Sequence, residues 1–291
     1  MTLRHFKIFI EVCETMNMTQ AAERLYISQS AVSQVISDLE AFYGTKLFER
    51  LSKRIYLTDA GEKLLSYARH ITKMTEEAEA SIKSLSESGV IRIGASVTVG
   101  SAILPKLVKS FQNVSPSTSF EVIEDNTTVI ESLILNNEVD LGLVEGEILS
   151  PDITIKPFLQ DELILICGKE HPFSQKAMVL PSELEKENFI IREKGSGTRK
   201  LFEIKMAANN VSWSASWVCN NSETIKNAVE NNLGISVISQ KSVLKELENK
   251  TLFSSKIEGI EFIRQFKIAY HKKKYITQKM NQFMEHLINL Y

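Results

Sequence analysis

One stretch constrains this chain more than any other: Thr19-Gln-Ala-Ala-Glu-Arg-Leu25, then Tyr26-Ile27, then Ser28-Gln-Ser-Ala-Val-Ser-Gln-Val-Ile-Ser-Asp-Leu39. Its pattern predicts two short helices joined by a tight turn. Thr19 and Ser28 are each placed to cap a helix N-terminus, where a hydroxyl accepts from the first free backbone N–H groups. Ala21 and Ala22 are small enough for a second helix to cross closely. Leu25, Val32, Ile36 and Leu39 make an apolar stripe at helical spacing. The opposite face of the second helix carries Gln29, Ser30, Ser33, Gln34 and Ser37, behind the capping Ser28. Short uncharged hydrogen-bonding groups of this kind suit base edges in a major groove. Ordinary helical hairpins also have small residues at a crossing and polar residues outside, so the next segment matters.

Leu47-Phe-Glu-Arg50 and Arg54-Ile-Tyr-Leu57 are short β-prone runs around Leu51-Ser52-Lys53, which predicts a hairpin "wing". Lys46, Arg50, Lys53 and Arg54 fall together there, where contacts to phosphates would be expected. With Ala21-Ala22-Glu23-Arg24-Leu25, Ile27-Ser28-Gln29-Ser30-Ala31-Val32-Ser33, Leu39-Glu40, Gly44, Leu47-Phe48-Glu49-Arg50 and Leu57-Thr58-Asp59-Ala60-Gly61, residues 1–65 resemble the winged helix-turn-helix of LysR-type transcriptional regulators. The resemblance continues more loosely through the chain. It implies double-stranded DNA with a palindromic promoter site as partner, and RNA polymerase as a further one. The contact residues would be Ser28, Gln29, Ser30, Ser33, Gln34, Ser37, Arg50, Lys53 and Arg54. The family often has Arg or Lys where this chain has Gln34 and Ser37. Here the second helix instead carries Asp38 and Glu40, and residues 1–58 are close to charge-neutral. Fewer phosphate contacts predict weaker non-specific binding and a shallower salt dependence.

The 291 residues fit two or three domains, and an apolar content of 43% supports sizeable cores. A net charge of −2 gives nucleic-acid binding no general support, so that expectation rests on the motif and local charge. Cys13, Cys167 and Cys219 are odd in number and in no metal-ligand spacing, and they read as free thiols in a reducing compartment. The charged N-terminal helix does not read as a signal peptide, and no run approaches the ~20 apolar residues of a membrane span. A soluble, cytoplasmic protein is expected, without cofactor, metal or membrane partner.

From Asp59 to Leu85 the pattern is helical, without Pro and without Gly after Gly61. Leu64, Ala68, Ile71, Thr75, Ala78, Ile82 and Leu85 repeat in alternating steps of four and three, a heptad seam. Such a helix, about 40 Å long, would pack on a second copy or on its own C-terminal domain. A homodimer, with a homotetramer as the next step, follows from the first alternative. Ser86-Glu87-Ser88-Gly89 would end the helix as a hinge.

Beyond it, short β runs at 90–94, 120–123 and 139–144 alternate with helical patterns at 101–113 and 129–135. Further strands are expected at 163–167, 189–191, 217–218, 234–238 and 266–270. Helices are expected at 198–209, 223–231 and 277–290. The alternation implies open α/β sheets. The family resemblance implies a two-lobed, periplasmic-binding-protein-like effector domain whose last strand and helix return to the first lobe. The expected fold class is thus α/β and multidomain. Its parts are a winged helix-turn-helix (1–58), a linker helix (59–88) and an effector domain (89–291). Lobe 1 spans about 89–160 and 266–291, and lobe 2 about 161–265.

Open α/β sheets bind ligands beyond the C-terminal ends of strands, at helix N-termini. Three segments occupy such places: Gly94 to Ser101, Lys194 to Lys200, and Asn221 to Thr224. Ser96, Thr98, Ser196, Gly197, Thr198 and Arg199 are the candidate residues for a small anionic effector. Each segment also reads as a plain helix cap, and Arg199 as the partner of a carboxylate in its own chain. Enzymatic function finds no support: the 195–200 run lacks Walker A spacing, and no nucleophile–base set or metal spacing appears in the α/β part. A transport solute-binding protein would lack the DNA-reading motif.

Overall fold

The computed structural model describes residues 1–51, 54–83 and 89–290. Its contacts divide the chain into an N-terminal and a C-terminal unit. The N-terminal unit runs α1 (Leu3–Thr15), α2 (Met18–Arg24), α3 (Gln29–Tyr43), β1 (Phe48–Leu51), β2 (Arg54–Leu57) and α4 (Asp59–Lys83). Val32, Ile36 and Leu39 of α3 are buried with Ala21 and Ala22 of α2, as the apolar stripe required. Phe9 and Val12 of α1 complete that core with Leu64 and Ala68 of α4. Ser28 caps α3, its hydroxyl accepting from the Ala31 N–H at 3.2 Å. The cap of α2 is Asn17 rather than Thr19. The Asn17 side-chain carbonyl accepts from the N–H groups of Thr19 and Gln20, at 2.9 and 3.2 Å, so the helix starts ahead of the expected hydroxyl. β1 and β2 form the expected antiparallel hairpin, with Arg50 opposite Ile55.

The C-terminal unit opens with β3 (Gly89–Ser96), α5 (Val97–Ala102), α6 (Leu104–Val114), β4 (Thr118–Asp125), α7 (Thr127–Leu135) and β5 (Leu141–Val144). The helix expected over 101–113 is therefore two helices broken at Ile103. Pro105 has no N–H for a continuing helix but is tolerated in a first turn, which is where it sits in α6. Next come β6 (Ile153–Gly168), β7 (Met178–Val179), α8 (Pro181–Leu184), β8 (Asn188–Arg192), α9 (Gly197–Ala208) and β9 (Ser214–Cys219). The chain closes with α10 (Ser222–Glu230), β10 (Ser236–Ser239), α11 (Leu244–Glu248), β11 (Leu252–Ile257), β12 (Phe262–His271) and α12 (Gln278–Asn289).

The main sheet has the order β4-β3-β5-β12-β6-β11-β7, with β10 also on β6. β3 pairs in parallel with β4 and β5, while β6 and β12 form one long antiparallel pair from Ile153–His271 to Leu163–Phe262. That pair threads two hydrophobic cores. Ile91, Ile93, Leu141, Phe266 and Ile268 lie in the first, together with Met280, Phe283 and Leu287 of α12. The final strand and helix thus return to the first lobe. Leu163, Leu165, Phe189, Phe202 and Phe262 lie in the second. The register of the pair shifts between Phe266 and Lys267, opposite Leu159 and Pro157. Pro157 donates no ladder hydrogen bond, and bulges of this kind bend a strand where the chain passes between cores. Among the described residues no helix is long and apolar enough to cross a membrane.

Candidate functional site

Two sites emerge, one in each unit. On the N-terminal unit, Ser28, Gln29, Ser30, Gln34 and Ser37 are exposed and Ser33 is half-buried. Ser33 and Ser37 line a groove bounded by Lys46 and Phe48 of the hairpin side. Several of these side chains are already engaged. The Ser28 and Ser30 hydroxyls lie 3.0 Å apart, and the Gln34 amide donates to Asp38 at 2.8 Å. Glu40 is no liability on this face. Its carboxylate accepts from the Leu47 N–H at 3.0 Å and pairs with Lys46 at 2.5 Å, tying α3 to the hairpin. Arg54 is exposed on β2. Arg50 lies in β1, and Lys53 falls outside the described residues. On α4, Leu64 and Ala68 of the expected seam belong to the unit's own core, whereas Ile71, Met74 and Ala78 are exposed. Leu85 and residues 86–88 fall outside the described residues.

In the C-terminal unit the ends of β3, β4 and β5 face the start of α9. Ser96 ends β3, and its hydroxyl donates to Glu145, which follows β5. Thr98 is buried in the first turn of α5. From the second lobe come Ser196, Gly197 and Thr198, which open α9. The two sides meet at glycines. A Cβ on Gly197 would lie 2.4 Å from the Gly146 Cα, and one on Gly195 would lie 2.8 Å from the Asn126 amide oxygen. Gly195 also has φ +90°, a conformation that side chains disfavour. These two glycines therefore permit close approach of the lobes, and the Thr128 hydroxyl donates to the Gly195 carbonyl at 3.4 Å across the gap.

The centre of this cleft is Arg264 of β12, which sequence reasoning did not single out. Its Nε donates to Asp161 at 2.7 Å and its Nη1 to the Thr198 hydroxyl at 2.9 Å. Glu145 stands 3.8 Å from Nη1. The side chains of Arg264, Asp161 and Glu145 are 5%, 0% and 2% exposed. Three atoms here are buried without a hydrogen-bond partner: Arg264 Nη2 and the Ser196 hydroxyl at the start of α9, and the Thr127 hydroxyl behind Gly146. Ser196 stands at the N-cap of α9 yet makes no side-chain cap bond. Arg199, an expected effector ligand, turns away. It pairs with Glu203 at 2.7 Å and donates to the Arg192 carbonyl at 3.2 Å, the intramolecular alternative. Asn221 likewise serves as a cap, accepting from the Thr224 N–H at 2.8 Å.

At the end of β4, partial burial pushes the Glu124 carboxyl above its ordinary value, and the nearby Arg192 charge draws it partly back. The three cysteines are buried, and desolvation drives Cys13 up to about 12 and Cys167 up to about 11, leaving both as inert thiols.

Arg264 was legible after all. β12 alternates so that Phe262, Arg264 and Phe266 share the buried face, and the guanidinium sits 5.6 Å over the Phe266 ring. An arginine in the buried phase of a strand, flanked by phenylalanines, requires a buried partner. Asp161 has the same signature, on one face with Leu163 and Leu165.

Residues 3–62 match the bacterial regulatory helix-turn-helix protein family, lysR type, and residues 85–290 match the LysR substrate binding domain. The chain belongs to the LysR family of transcriptional regulators. It is 30% identical over 285 residues to the HTH-type transcriptional regulator YeiE of Escherichia coli K12, covering 98% of this chain and 96% of YeiE. The regulatory domain of CcmR from Synechocystis PCC6803, solved in complex with 2-PG, is 27% identical with a TM-score of 0.66. That match covers 70% of this chain and 97% of CcmR's domain. Full-length CbnR, solved with its target DNA, shares the fold at a TM-score of 0.66 and 19% identity, with both chains fully covered. This LysR-family chain is therefore a transcriptional regulator with a helix-turn-helix domain and a two-lobed α/β substrate-binding domain.

Proposed function

We propose that this regulator reads a two-fold symmetric DNA site with α3 and is switched by a small anionic metabolite held between its two lobes. The observation that carries the second half is the buried pair of atoms without partners, Arg264 Nη2 and the Ser196 hydroxyl, at the positive end of α9. A buried donor left unmade is costly, and an oxyanion would satisfy both at once. Ser96, Thr98, Gly197 and Thr198 complete the walls, and Arg264 takes the place first given to Arg199. The likeness to a regulatory domain solved with 2-PG supports a small-molecule occupant. A ligand that touches both lobes favours the closed cleft by its differential affinity and only by that amount. Closure would change the spacing of two DNA-reading units in a dimer. The exposed Ile71, Met74 and Ala78 at helical spacing on α4 support pairing through that helix. The lobes divide near 160 and 266, where the register shift sits. The protein acts in the cytoplasm, where its DNA is.

In the DNA half, Gln29, Ser33 and Gln34 read bases, and Arg50, Lys53 and Arg54 hold the phosphate backbone. Gln34→Ala is expected to lose roughly 1–3 kcal/mol at one base position and to relax specificity there. Arg54→Ala should weaken all sequences alike and lower the salt slope by about 0.9. Fluorescence anisotropy over a salt series with single-base operator variants separates the two effects. An unchanged sequence preference in Gln34→Ala would overturn the readout assignment.

A further inference from the structure

We propose that the cleft selects a small anion that carries its own hydrogen-bond donor, a hydroxy acid or amino acid in class, with the anion on Arg264 and Ser196 and the donor on Glu145. This rests on the reading of the cleft as the effector site and narrows its ligand. The second-lobe wall offers donors: Arg264 Nη2 and the Ser196 hydroxyl, both buried and both without partners. The first-lobe wall offers an acceptor. One Glu145 oxygen receives the Ser96 hydroxyl, and the other has Arg264 Nη1 only at 3.8 Å, beyond hydrogen-bond length. An ionised carboxylate has room for about four donors, so Glu145 keeps unfilled capacity in a buried place. Asp161 is the more fully engaged of the two, because Arg264 Nε donates to one of its oxygens and the Ser239 hydroxyl to the other, whereas only one Glu145 oxygen receives a hydrogen bond among the described residues.

The charge balance makes the point sharper. Around the single guanidinium of Arg264 stand two buried carboxylates, Asp161 and Glu145. A donor-free anion seated on Arg264 would face Glu145 with no proton between them, and like charges repel strongly where water is excluded. A hydroxyl or ammonium group on the ligand supplies that proton and turns the repulsion into a charge-assisted bond. Glu145 is thus the specificity-determining residue of the cleft.

The test is calorimetric titration of the full-length protein at neutral pH with pairs that differ only in the donor, glycolate against acetate and glycerate against propionate, alongside sulfate. On the wild type the hydroxylated member should bind about tenfold tighter or more, the worth of a hydrogen bond to a charged group. Glu145→Gln keeps the shape and removes the charge, so acetate and sulfate should bind it more tightly than they bind the wild type and the glycolate-to-acetate ratio should shrink. Wild-type binding of acetate or sulfate as tight as that of glycolate would leave an anion cleft standing and overturn the donor requirement. A ratio unchanged in Glu145→Gln would overturn the role of Glu145. Binding of no member of the panel to the wild type would overturn both the ligand class and the anion reading beneath it.

Discussion

Asp161→Ala should destabilise the C-terminal unit by about 3–5 kcal/mol, the usual cost of stranding one member of a buried ion pair. The Asp161 carboxylate is fully buried, with Arg264 Nε at 2.7 Å and the Ser239 hydroxyl at 2.7 Å. Removing it leaves a guanidinium whose remaining charged partner among the described residues is Glu145 at 3.8 Å, too distant for a hydrogen bond. It also removes the side-chain link that joins Arg264 of β12 and Ser239 at the end of β10 through β6. Differential scanning calorimetry of the full chain resolves the effect, since the two units need not melt together. Asp161→Asn keeps an acceptor for Ser239 and should fall between the wild type and Asp161→Ala. A loss below about 1 kcal/mol in Asp161→Ala would mean that water reaches the pair and that the cleft floor is not dry.

Gly197→Ala should hold the two lobes apart. The added methyl would meet the Gly146 Cα at 2.4 Å and the Gly146 nitrogen at 2.6 Å, backbone atoms that no side-chain rotation can clear. Gly146 is itself backed by Thr127, whose hydroxyl oxygen lies 2.6 Å from where a Gly146 Cβ would stand. Overpacking of this kind costs about 1–3 kcal/mol, partly offset by roughly 1 kcal/mol of helix propensity gained at the first residue of α9. The larger effect is on closure. Hydrogen exchange should quicken at 126–128, 145–146 and 195–198, and the response to any cleft ligand should be lost while DNA binding persists. Unchanged exchange at those segments would show that the lobes do not touch there in solution.

The local elements were written plainly in the sequence. Ser28 capped its helix, the strand expected at 266–270 lies within β12, and the helix expected from 277 is capped by Thr277 through the Met280 N–H at 3.2 Å. The two-helix motif was visible because its apolar stripe and its polar face have one period. The cleft was half legible. Helix starts at Ser96 and Ser196 were visible as candidate ligand positions because hydroxyls and glycines stand there at the ends of strands, although each also read as a plain cap. Arg264 and Asp161 escaped because they are far apart in sequence, and Glu145 because a lone carboxylate at a strand end is usually structural or solvated. Only the antiparallel register of β6 and β12, which sets Arg264 opposite Asp161, brings the first two together. Arg199 misled for the opposite reason. It stands in a run that invites an anion, yet Glu203 lies one helical turn away and claims it. The heptad on α4 was real as a pattern, but its first two positions serve the unit's own core.

The central claim is that two copies of this chain read one two-fold symmetric DNA site through α3. Selection from random double-stranded DNA with the full-length protein, followed by sequencing of the bound pool, tests it most directly. The account predicts enrichment of an inverted repeat with half-sites separated by a whole number of helical turns, and a base preference that changes at one position per half-site in Gln34→Ala. A pool that shows no enrichment over the input, or a single asymmetric half-site bound by a monomer, would contradict it.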